Sequence, residues 1–358
     1  MSVRILQPQD LVDLVPLDEA LSAIREAFRD FGAESILNAP RRRVHTSEGL
    51  RISAHQGIAP SSGVGGILTH AEFVNAGKSR QNLHRGQPVC VISNIAGELR
   101  GIIIGAIGFS GFPQASTGVR TAATTAVGTD LLANPGPLHV GIFGSGKQAF
   151  YHVLLLAQAR ELASLTIYSP TPENRDRFRS AIANEIGCPV RTVSSPNDAV
   201  EGMDAVLLCT NSSVPVIPGA LFSAGQHISS IVGSNVGLVL SGVAERKRRE
   251  LDNETIERAN IVMVASREQA IQDQQGDLYD PVCEGVLKWE DVVEIGEVLT
   301  EKRTGRTSTD QISVFKNNGG QGIADVALAS LALRHAEDRG LGLMLDIGNP
   351  HDFFGEQM

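Results

Sequence analysis

Hydrophobic and polar positions follow two different patterns along the chain. In the first third, short apolar stretches follow one another with only turns between them, over residues 50–54, 66–73, 88–94 and 99–104. Consecutive strands without intervening helices favour antiparallel pairing. From residue 139 onward, short β-branched runs alternate with helical patterns, which is typical of a parallel sheet buried on both faces. The pattern therefore predicts an α/β chain with two sheets of different kinds.

The boundary between the two patterns is marked in the sequence. The segment Asn134-Pro135-Gly136-Pro137 breaks the chain just before the alternating part, and we place a domain boundary there or slightly upstream. Apolar residues spaced three and four apart predict a pair of helices over 11–31 and a helix over 323–336. The alternating part predicts strands at 139–143, 165–169, 190–193, 205–210, 227–232, 261–265 and 314–316.

A glycine motif follows the first strand of the alternating part. The strand runs directly into Gly144-x-Gly146-x-x-Ala149, and a helical pattern then begins. Gly144 allows the tight turn, Gly146 leaves room for a pyrophosphate to approach the backbone, and Ala149 keeps the helix close to the sheet. The N–H groups at the start of that helix would face the phosphates. The motif predicts a dinucleotide site; the alternative is a tight turn that is only structural.

The end of the next strand bears on the choice of cofactor. A fold selective for NAD places Asp or Glu there to bind the ribose 2′-hydroxyl. Here the sequence is Tyr168-Ser169-Pro170-Thr171-Pro172, which has no acid. Ser169 and Thr171 would hydrogen-bond a 2′-phosphate, and Arg175 follows in the helix. This slot, residues 168–172 after the strand, therefore favours NADP(H) over NAD(H).

Composition excludes several other classes of protein. Of 358 residues, 42% are hydrophobic and 20% charged, which describes a globular protein with a proper core. The net charge of −9 argues against nucleic-acid binding. The longest apolar run, 101–109, is too short to span a bilayer, and residues 1–8 lack signal-peptide features, so we expect no membrane partner and a cytoplasmic location. The four scattered cysteines indicate reduced thiols and no metal site.

Several blocks occur in the order known from one family. Together they resemble the ornithine cyclodeaminase/mu-crystallin family over roughly residues 10–340, and the ordered set is more specific than any single block. The blocks are Arg120-Thr121-Ala122-Ala123, Gly144-Ser145-Gly146-Lys147-Gln148-Ala149, Arg249-Glu250-Leu251-Asp252, Ser266-Arg267-Glu268-Gln269-Ala270 and Val314-Phe315-Lys316.

The resemblance implies a domain organisation and a set of ligands. A Rossmann domain of residues 125–322 would be inserted into a substrate-binding and homodimerisation domain of residues 1–124 plus 323–358. Arg42, two residues after Pro40, would hold a substrate carboxylate, although the match can slip to Arg43; a solvated arginine patch is the alternative. The implied cofactor contacts are Arg120, Thr121, Gly144, Ser145, Gly146, Lys147, Gln148, Ser169, Thr171, Thr210, Ser212, Val232, Ser234 and Lys316.

Two departures from the family pattern matter for the chemistry. The strand that normally carries a substrate-binding lysine reads 65–70 as Gly-Gly-Ile-Leu-Thr-His, and Asn235 stands where cyclodeaminases have a catalytic aspartate. A carboxylate can accept a proton from an amine, whereas a neutral amide cannot. Both changes argue against ornithine cyclodeamination. His70, Lys78 and Glu268 remain as candidates for proton transfer, each with an incidental surface or structural role as the alternative.

The function that follows is an NAD(P)-dependent oxidoreductase acting on the C=N or C–N bond of a small amino or imino acid with a carboxylate. One alternative is a cyclodeaminase that recycles NAD and releases ammonia. The other is a catalytically weak protein that binds NADP(H) or another ligand.

Overall fold

The computed structural model describes residues 2–73, 84–112, 117–240, 242 and 244–348. Lys78 and the sequence after residue 348 lie outside these ranges. The strands are β1 (Ser2–Leu6), β2 (Arg42–His45), β3 (Leu50–Ala59), β4 (Val64–Phe73), β5 (His84–Arg85), β6 (Val89–Asn94), β7 (Leu99–Ile104), β8 (Leu138–Phe143), β9 (Leu162–Tyr168), β10 (Val190–Thr192), β11 (Ala205–Leu208), β12 (His227–Ser230), β13 (Ile261–Val264), β14 (Val293–Glu294), β15 (Ser313–Lys316) and β16 (Leu343–Asp346). The helices are α1 (Leu17–Ala33), α2 (Gly118–Leu132), α3 (Lys147–Ala159), α4 (Pro172–Ile182), α5 (Val236–Leu240), α6 (Asn253–Arg258), α7 (Arg267–Gln272), α8 (Gly276–Cys283), α9 (Ile295–Leu299) and α10 (Gly322–Asp338).

The strands form two sheets. The first has the order β16-β1-β7-β6-β4-β3-β2, with β5 paired to β4, and every pairing except β1–β7 is antiparallel. The second has the order β10-β9-β8-β11-β12-β15-β13-β14 and is parallel throughout. Its first five strands have the doubly wound order of a Rossmann sheet, in which ligands bind beyond the carboxyl ends of the strands at the switch point beside β8. The predicted α/β class is confirmed.

Two helices connect the sheets. The buried helix α2 packs against α1 and α3 and also touches β12 and β15, which explains its run of small side chains. Helix α10 lies against β3 and β4 of the first sheet. The predicted boundary at 124/125 falls inside α2, and the other falls at the start of α10; the division into domains stays a prediction. The predicted helix pair over 11–31 is wrong in its first member, because a short 3-10 helix ends at Leu11 and α1 begins only at Leu17.

A close backbone contact joins β3 to the start of α10. A Cβ atom at Gly57 would overlap the backbone nitrogen of Ile323, and one at Gly322 would overlap the carbonyl oxygen of Gln56. Only glycine permits two backbone segments to approach this closely. The contact brings the end of the first sheet's longest strands against the N-terminal turn of α10.

Among the described residues, we find no helix that is both long and apolar enough to cross a bilayer. The same part of the chain contains no group of three or more His, Cys, Asp or Glu side chains that could hold a metal ion.

Two buried histidines predict acid-dependent stability. Burial lowers the pKa of His227 from 6.5 to about 3 and that of His152 from 6.5 to about 4. The unfolded chain therefore binds protons below pH 6.5 that the folded chain refuses, so stability is complete above pH 6.5 and is lost as the pH falls toward these values. We expect urea unfolding to show a loss of up to about 1.4 kcal/mol per pH unit for each histidine.

The substitution His227→Gln should remove part of this pH dependence, because glutamine does not titrate. His139→Gln, at an exposed histidine of β8 in the same sheet, is the matched control for the substitution itself. Equal slopes for wild type and His227→Gln would contradict the assignment.

Candidate functional site

A cavity of about 1090 Å³ lies where the two sheets face each other. One end of its wall is the glycine loop after β8, together with the loops that follow β9, β11 and β12. The other end consists of side chains from β2, β3 and β4 and the N-terminal turn of α2. The cavity therefore joins the switch point of the parallel sheet to one face of the antiparallel sheet.

The glycine loop has the geometry that a pyrophosphate requires. Gly144 has a φ of +110°, its N–H donates to the carbonyl oxygen of Tyr168 at 2.8 Å, and a Cβ there would overlap the carbonyl oxygen of Cys209. Gly146 lies just before α3 in extended backbone, and a Cβ there would meet no described atom within 4 Å. The open space over Gly146, at a helix N-terminus, fits a phosphate group.

The end of β9 forms the side of the cavity next to this loop. Ser169 and Pro170 lie on its wall, and the Ser145 hydroxyl donates to the Ser169 hydroxyl at 3.0 Å. The Arg175 guanidinium donates to the carbonyl oxygen of Ser169 at 2.6 Å, which places a positive charge beside the slot without an acid. Thr171 is exposed at the start of α4 and is not among the residues of the wall, and its contact with a cofactor stays a prediction.

A buried carboxylate holds the loops after β11 and β12. Glu250 accepts hydrogen bonds from Thr210, through its N–H at 2.6 Å and its hydroxyl at 2.7 Å, and from the N–H of Val232 at 2.9 Å. Thr210 and Val232 lie on the wall, as do Ser212 and Ser234. Glu250 therefore fixes the conformation of both loops through these hydrogen bonds.

Lys316 belongs to this support rather than to the wall. Its ammonium is fully buried and donates to Asp277 at 2.7 Å, to the Ser230 hydroxyl at 3.0 Å and to the carbonyl oxygen of Val232 at 2.8 Å. Lys316 is not among the residues of the cavity wall, and its direct contact with a cofactor stays a prediction.

The strand geometry of β2 places its successive arginines on opposite faces of the sheet. Successive side chains of a strand point to opposite faces. Arg43 is paired with buried Ser53 and lies on the cavity wall, whereas Arg42 is paired with Ala54 and is exposed on the other face. The structure therefore corrects the assignment of Arg42: the arginines that reach the cavity are Arg43 and, from the preceding loop, Arg41.

These two arginines leave positive charge unmatched. Arg41 and Arg43 share one carboxylate, because Asp273 forms an ion pair with Arg41 and also lies 3.9 Å from Nη1 of Arg43, which donates to the carbonyl oxygen of Ser234 at 2.9 Å. Burial lowers the pKa of Arg43, and the charge of Arg41 lowers it further, while Asp273 opposes the shift. An anion bound between the two guanidinium groups would relieve this repulsion.

The pairing of β3 with β4 brings further polar groups to the same face. Arg51 lies opposite Glu72, and its Nε donates to the Glu72 carboxylate at 2.8 Å. His70 lies opposite Ser53, with its Nε2 3.9 Å from Glu72. Sequence reasoning found His70 and missed Arg51 and Glu72, although polar side chains at alternate positions of β3 were the available signal.

A buried histidine–aspartate pair lies beside the arginines. His55 Nδ1 is 2.7 Å from one oxygen of Asp325, and Arg120 Nε donates to the other at 2.8 Å. Burial alone would raise the pKa of Asp325, but Arg120 and His55 hold it below its ordinary value. Burial lowers the pKa of His55, and its hydrogen bond to the Asp325 carboxylate only partly offsets this. Asp325 thus holds both side chains in fixed orientations.

Two further candidates lie away from the cavity wall. Asn235 is buried, accepts from the N–H of Arg248 at 2.7 Å and donates to the carbonyl oxygen of Arg246 at 3.1 Å, so its amide is occupied by backbone. Glu268 is exposed and accepts from Gln272 within α7. The wall does include Arg120, Thr121, Gly144, Ser145, Gly146, Lys147, Gln148, Ser169, Thr210, Ser212, Val232 and Ser234. The structure brings these residues together; their contacts with a cofactor stay a prediction.

Comparisons with known proteins agree with this architecture. A Delta(1)-pyrroline-2-carboxylate reductase from Bacillus cereus is 30% identical over 227 residues, which are 63% of this chain and 66% of that protein, just under two thirds of its length. An alanine dehydrogenase from Archaeoglobus fulgidus is 26% identical over 352 residues, covering 96% of this chain and 98% of that protein.

A solved structure shows the same fold. The Delta(1)-pyrroline-2-carboxylate reductase of Thermococcus litoralis, in complex with NADH and L-proline, superposes with a TM-score of 0.80 and 22% identity, covering 95% of this chain and 99% of that one. The family model described as "Ornithine cyclodeaminase/mu-crystallin family" matches residues 4–339. The chain belongs to the ornithine cyclodeaminase/mu-crystallin family, as its ordered motifs predicted.

Proposed function

We propose that this chain is an NAD(P)-dependent oxidoreductase that reduces the C=N bond of a small imino acid, or in reverse oxidises the C–N bond of the amino acid. One observation carries the proposal. Three buried guanidinium N–H groups, on Nε of Arg41, Nε of Arg43 and Nη1 of Arg120, have no hydrogen-bond partner among the described residues. All three arginines lie on the wall of the cavity that also contains the glycine loop.

This arrangement suits a carboxylate held next to a dinucleotide. A bound reduced nicotinamide would supply the hydride. Arg41 and Arg43 would bind the carboxylate, because unpaired guanidinium N–H groups in a buried site favour an anion. The loop around Gly146 would hold the pyrophosphate, and the loops carrying Thr210 and Val232 would position the nicotinamide. Orientation of this kind contributes much of the rate of a hydride transfer.

We infer a preference for NADP(H) over NAD(H). The slot after β9 offers the Ser169 hydroxyl and no carboxylate, and the Arg175 guanidinium lies against the Ser169 carbonyl. A 2′-phosphate would find a cation and a hydroxyl there and no negative charge to repel it.

The cyclodeaminase alternative is weaker on the geometry. Asn235, which stands where that reaction needs an aspartate, has both amide ends hydrogen-bonded to the backbone of Arg246 and Arg248. It therefore has no free group to exchange a proton with a substrate amine. The relatives described as a pyrroline-2-carboxylate reductase and an alanine dehydrogenase support the oxidoreductase reading.

A nicotinamide absorbance screen tests the function. Purified protein is mixed with NADPH or NADH and with cyclic imino acids, 2-oxo acids plus ammonia or methylamine, or diamino acids. We expect NADPH to be consumed with at least one imino acid or 2-oxo acid–amine pair, and more efficiently than NADH. Ammonia release from a diamino acid without net change in absorbance would favour the cyclodeaminase. Tight NADPH binding with no turnover would favour the binding protein.

We also propose that the chain forms a homodimer through the outer face of the first sheet. Apolar side chains are exposed there in adjacent strands, with Val44 of β2 paired to Ile52 of β3 and Leu50 of β3 paired to Phe73 of β4. Their exposed fractions are 67%, 42%, 41% and 38% in that order. A contiguous apolar patch of this kind is typical of a protein–protein interface.

The substitution Ile52→Asp should convert the dimer to a monomer, because it would bury an uncompensated carboxylate between the two patches. Light scattering after size-exclusion chromatography measures the mass. Ile95→Asp is the matched control, since Ile95 is 78% exposed in the turn between β6 and β7, and should leave the dimer intact. A monomeric wild type, or a dimer that survives Ile52→Asp, would rule out this interface.

A further inference from the structure

One ring nitrogen of His55 is fixed by a hydrogen bond, and the other has no hydrogen-bond partner among the described residues. Its Nδ1 is hydrogen-bonded to Asp325 at 2.7 Å, both side chains are 2% exposed, and Nε2 has no hydrogen-bond partner among the described residues. His55 lies on the cavity wall. Buried ring nitrogens are normally satisfied within a protein, so one left unpaired at a cavity indicates a ligand atom as its partner.

The backbone near this nitrogen leaves no room for a side chain. Gly320 has a φ of +69°, and a Cβ atom there would lie 3.1 Å from His55 Nε2 and would also crowd the Arg41 side chain. Any larger residue at position 320 would therefore crowd the imidazole and the guanidinium together. Gly320 thus allows the His55 imidazole and the Arg41 guanidinium to lie beside it at the cavity wall.

The other candidates for proton transfer are less suited to the role. Glu268 and Asn235 lie off the wall, and Lys78 lies outside the described residues. His70 is on the wall, and its Nε2 lies 3.9 Å from the Glu72 carboxylate. His55 borders the cavity while a hydrogen bond of 2.7 Å to the buried Asp325 carboxylate sets the orientation of its ring.

We propose that His55, held by Asp325, exchanges a proton with the substrate nitrogen through Nε2. The inference rests on the proposed imine-reductase function and names the group that sequence reasoning left open. In the reducing direction the imine carbon gains a hydride, the π electrons of the C=N bond move to nitrogen, and that nitrogen takes the proton from Nε2 of the imidazolium. His55 is left neutral, NAD(P)H is oxidised to NAD(P)+, and one proton from solvent restores the imidazolium.

Asp325 has a defined part in this step as a positioning residue. A carboxylate at Nδ1 selects the tautomer that carries the proton on Nδ1, so that Nε2 of the neutral ring presents its lone pair to the cavity. It also stabilises the imidazolium that forms when the amine is oxidised, as in other oriented histidines. Arg120 shares the same carboxylate and keeps it ionised.

The charges around His55 determine the direction of the pH effect. The groups that face it are Asp325, which raises its pKa, and Arg41 and Arg120, which lower it, together with the edge of the His70 ring at 5.7 Å. Burial lowers the pKa of His55 further, so the ring is mainly neutral at pH 7. Amine oxidation needs the neutral ring and should be lost as the pH falls through this pKa. Imine reduction needs the imidazolium and should decline as the pH rises.

The kinetic test compares His55→Gln with His70→Gln, the same substitution at a second histidine of the same wall. The substrate is whichever of Δ1-pyrroline-2-carboxylate, Δ1-piperideine-2-carboxylate and pyruvate plus ammonia the wild type reduces fastest. We expect His55→Gln to lower kcat by about 10²–10⁴-fold with a smaller change in KM, and to flatten the pH profile. His70→Gln should keep the wild-type pH profile.

A second readout does not depend on turnover. In wild-type protein with ¹⁵N-labelled histidine and no cofactor, the His55 signals are assigned by their loss in His55→Gln, or in His55→Asn if the first variant does not fold. We expect a protonated Nδ1 and an unprotonated Nε2 at pH 8, and a shift of the Nε2 signal when pyrrole-2-carboxylate is added. A protonated Nε2 at pH 8, or a signal that pyrrole-2-carboxylate leaves unchanged, overturns the proposal.

Failure of the proposed function and failure of the role of His55 give different results. A wild type that consumes no NAD(P)H with any of these substrates contradicts the proposed function, and this inference falls with it. A wild type that is active while folded His55→Gln retains its kcat and pH profile contradicts only the role of His55.

Discussion

Replacing Lys316 with methionine should lower the free energy of unfolding by about 3–5 kcal/mol, because it removes the partner of a buried carboxylate. The Lys316 ammonium and the Asp277 carboxylate are both fully buried and 2.7 Å apart. Burial alone would raise the pKa of Asp277, but Lys316 and several hydrogen bonds hold it below its ordinary value, so Asp277 is ionised in the folded protein. Burial raises the pKa of the neighbouring Glu250, and Lys316 opposes that shift. Methionine fills the space of the lysine stem and leaves both carboxylates without a cation.

Urea unfolding followed by circular dichroism measures this loss as a lower midpoint concentration of urea, with no change in the slope of the unfolding free energy against urea concentration. Lys247→Met is the matched control. Lys247 pairs with Asp280 at partly exposed positions, where an ion pair contributes roughly 0–1 kcal/mol. If Lys316→Met were as stable as Lys247→Met, the buried network would not support the loops after β11 and β12.

Replacing Gly146 with valine should weaken NAD(P)H binding about 100-fold, or roughly 2.7 kcal/mol, while the free energy of unfolding stays that of the wild type. The backbone of Gly146 has φ −92° and ψ −175°, which a β-branched residue adopts without strain. A side chain there meets no described atom within 4 Å, so folding is not affected. The valine would instead occupy the space over the N-terminus of α3, where a pyrophosphate would contact the backbone N–H groups.

Fluorescence titration with NADPH and urea unfolding separate the two effects. Gly144→Val is the informative comparison, since Gly144 has a φ of +110° and a Cβ there would overlap the carbonyl of Cys209. That variant should lose stability, whereas Gly146→Val should lose only affinity. Unchanged NADPH affinity in Gly146→Val would mean that the dinucleotide does not lie on this loop.

The first sheet shows where the hydrophobic pattern misleads. Along β3, Leu50, Ile52 and Ile58 alternate with polar residues, and the usual reading would bury the apolar face. The structure buries Arg51 and His55 instead, with exposed fractions of 7% and 2%, and leaves the apolar face open. The reversal has a physical reason: the polar face lines a cavity built for an anion, and the apolar face forms the patch that we propose a second copy covers.

A shift of one residue decides the arginine assignment. Motif spacing after Pro40 points to Arg42, with Arg43 as the other possibility. Because side chains alternate across a strand, moving by one position exchanges the cavity face for the outer face. The register that pairs Arg43 with Ser53 settles the choice for the cavity, and no local feature of the sequence could have fixed that register.

The sequence by itself determined what depends on neighbouring residues. The Gly144–Gly146 turn, the alternation of strands and helices after residue 139, and the slot without an acid at Ser169 are local features, and the structure contains each of them. Only the tertiary structure decided contacts between distant segments. His55 and Asp325 are 270 positions apart, and they meet because Gly57 and Gly322 allow β3 and α10 into backbone contact. Such a pair leaves no periodic or spacing signal in the chain, since its geometry exists only after β3 and α10 have packed together.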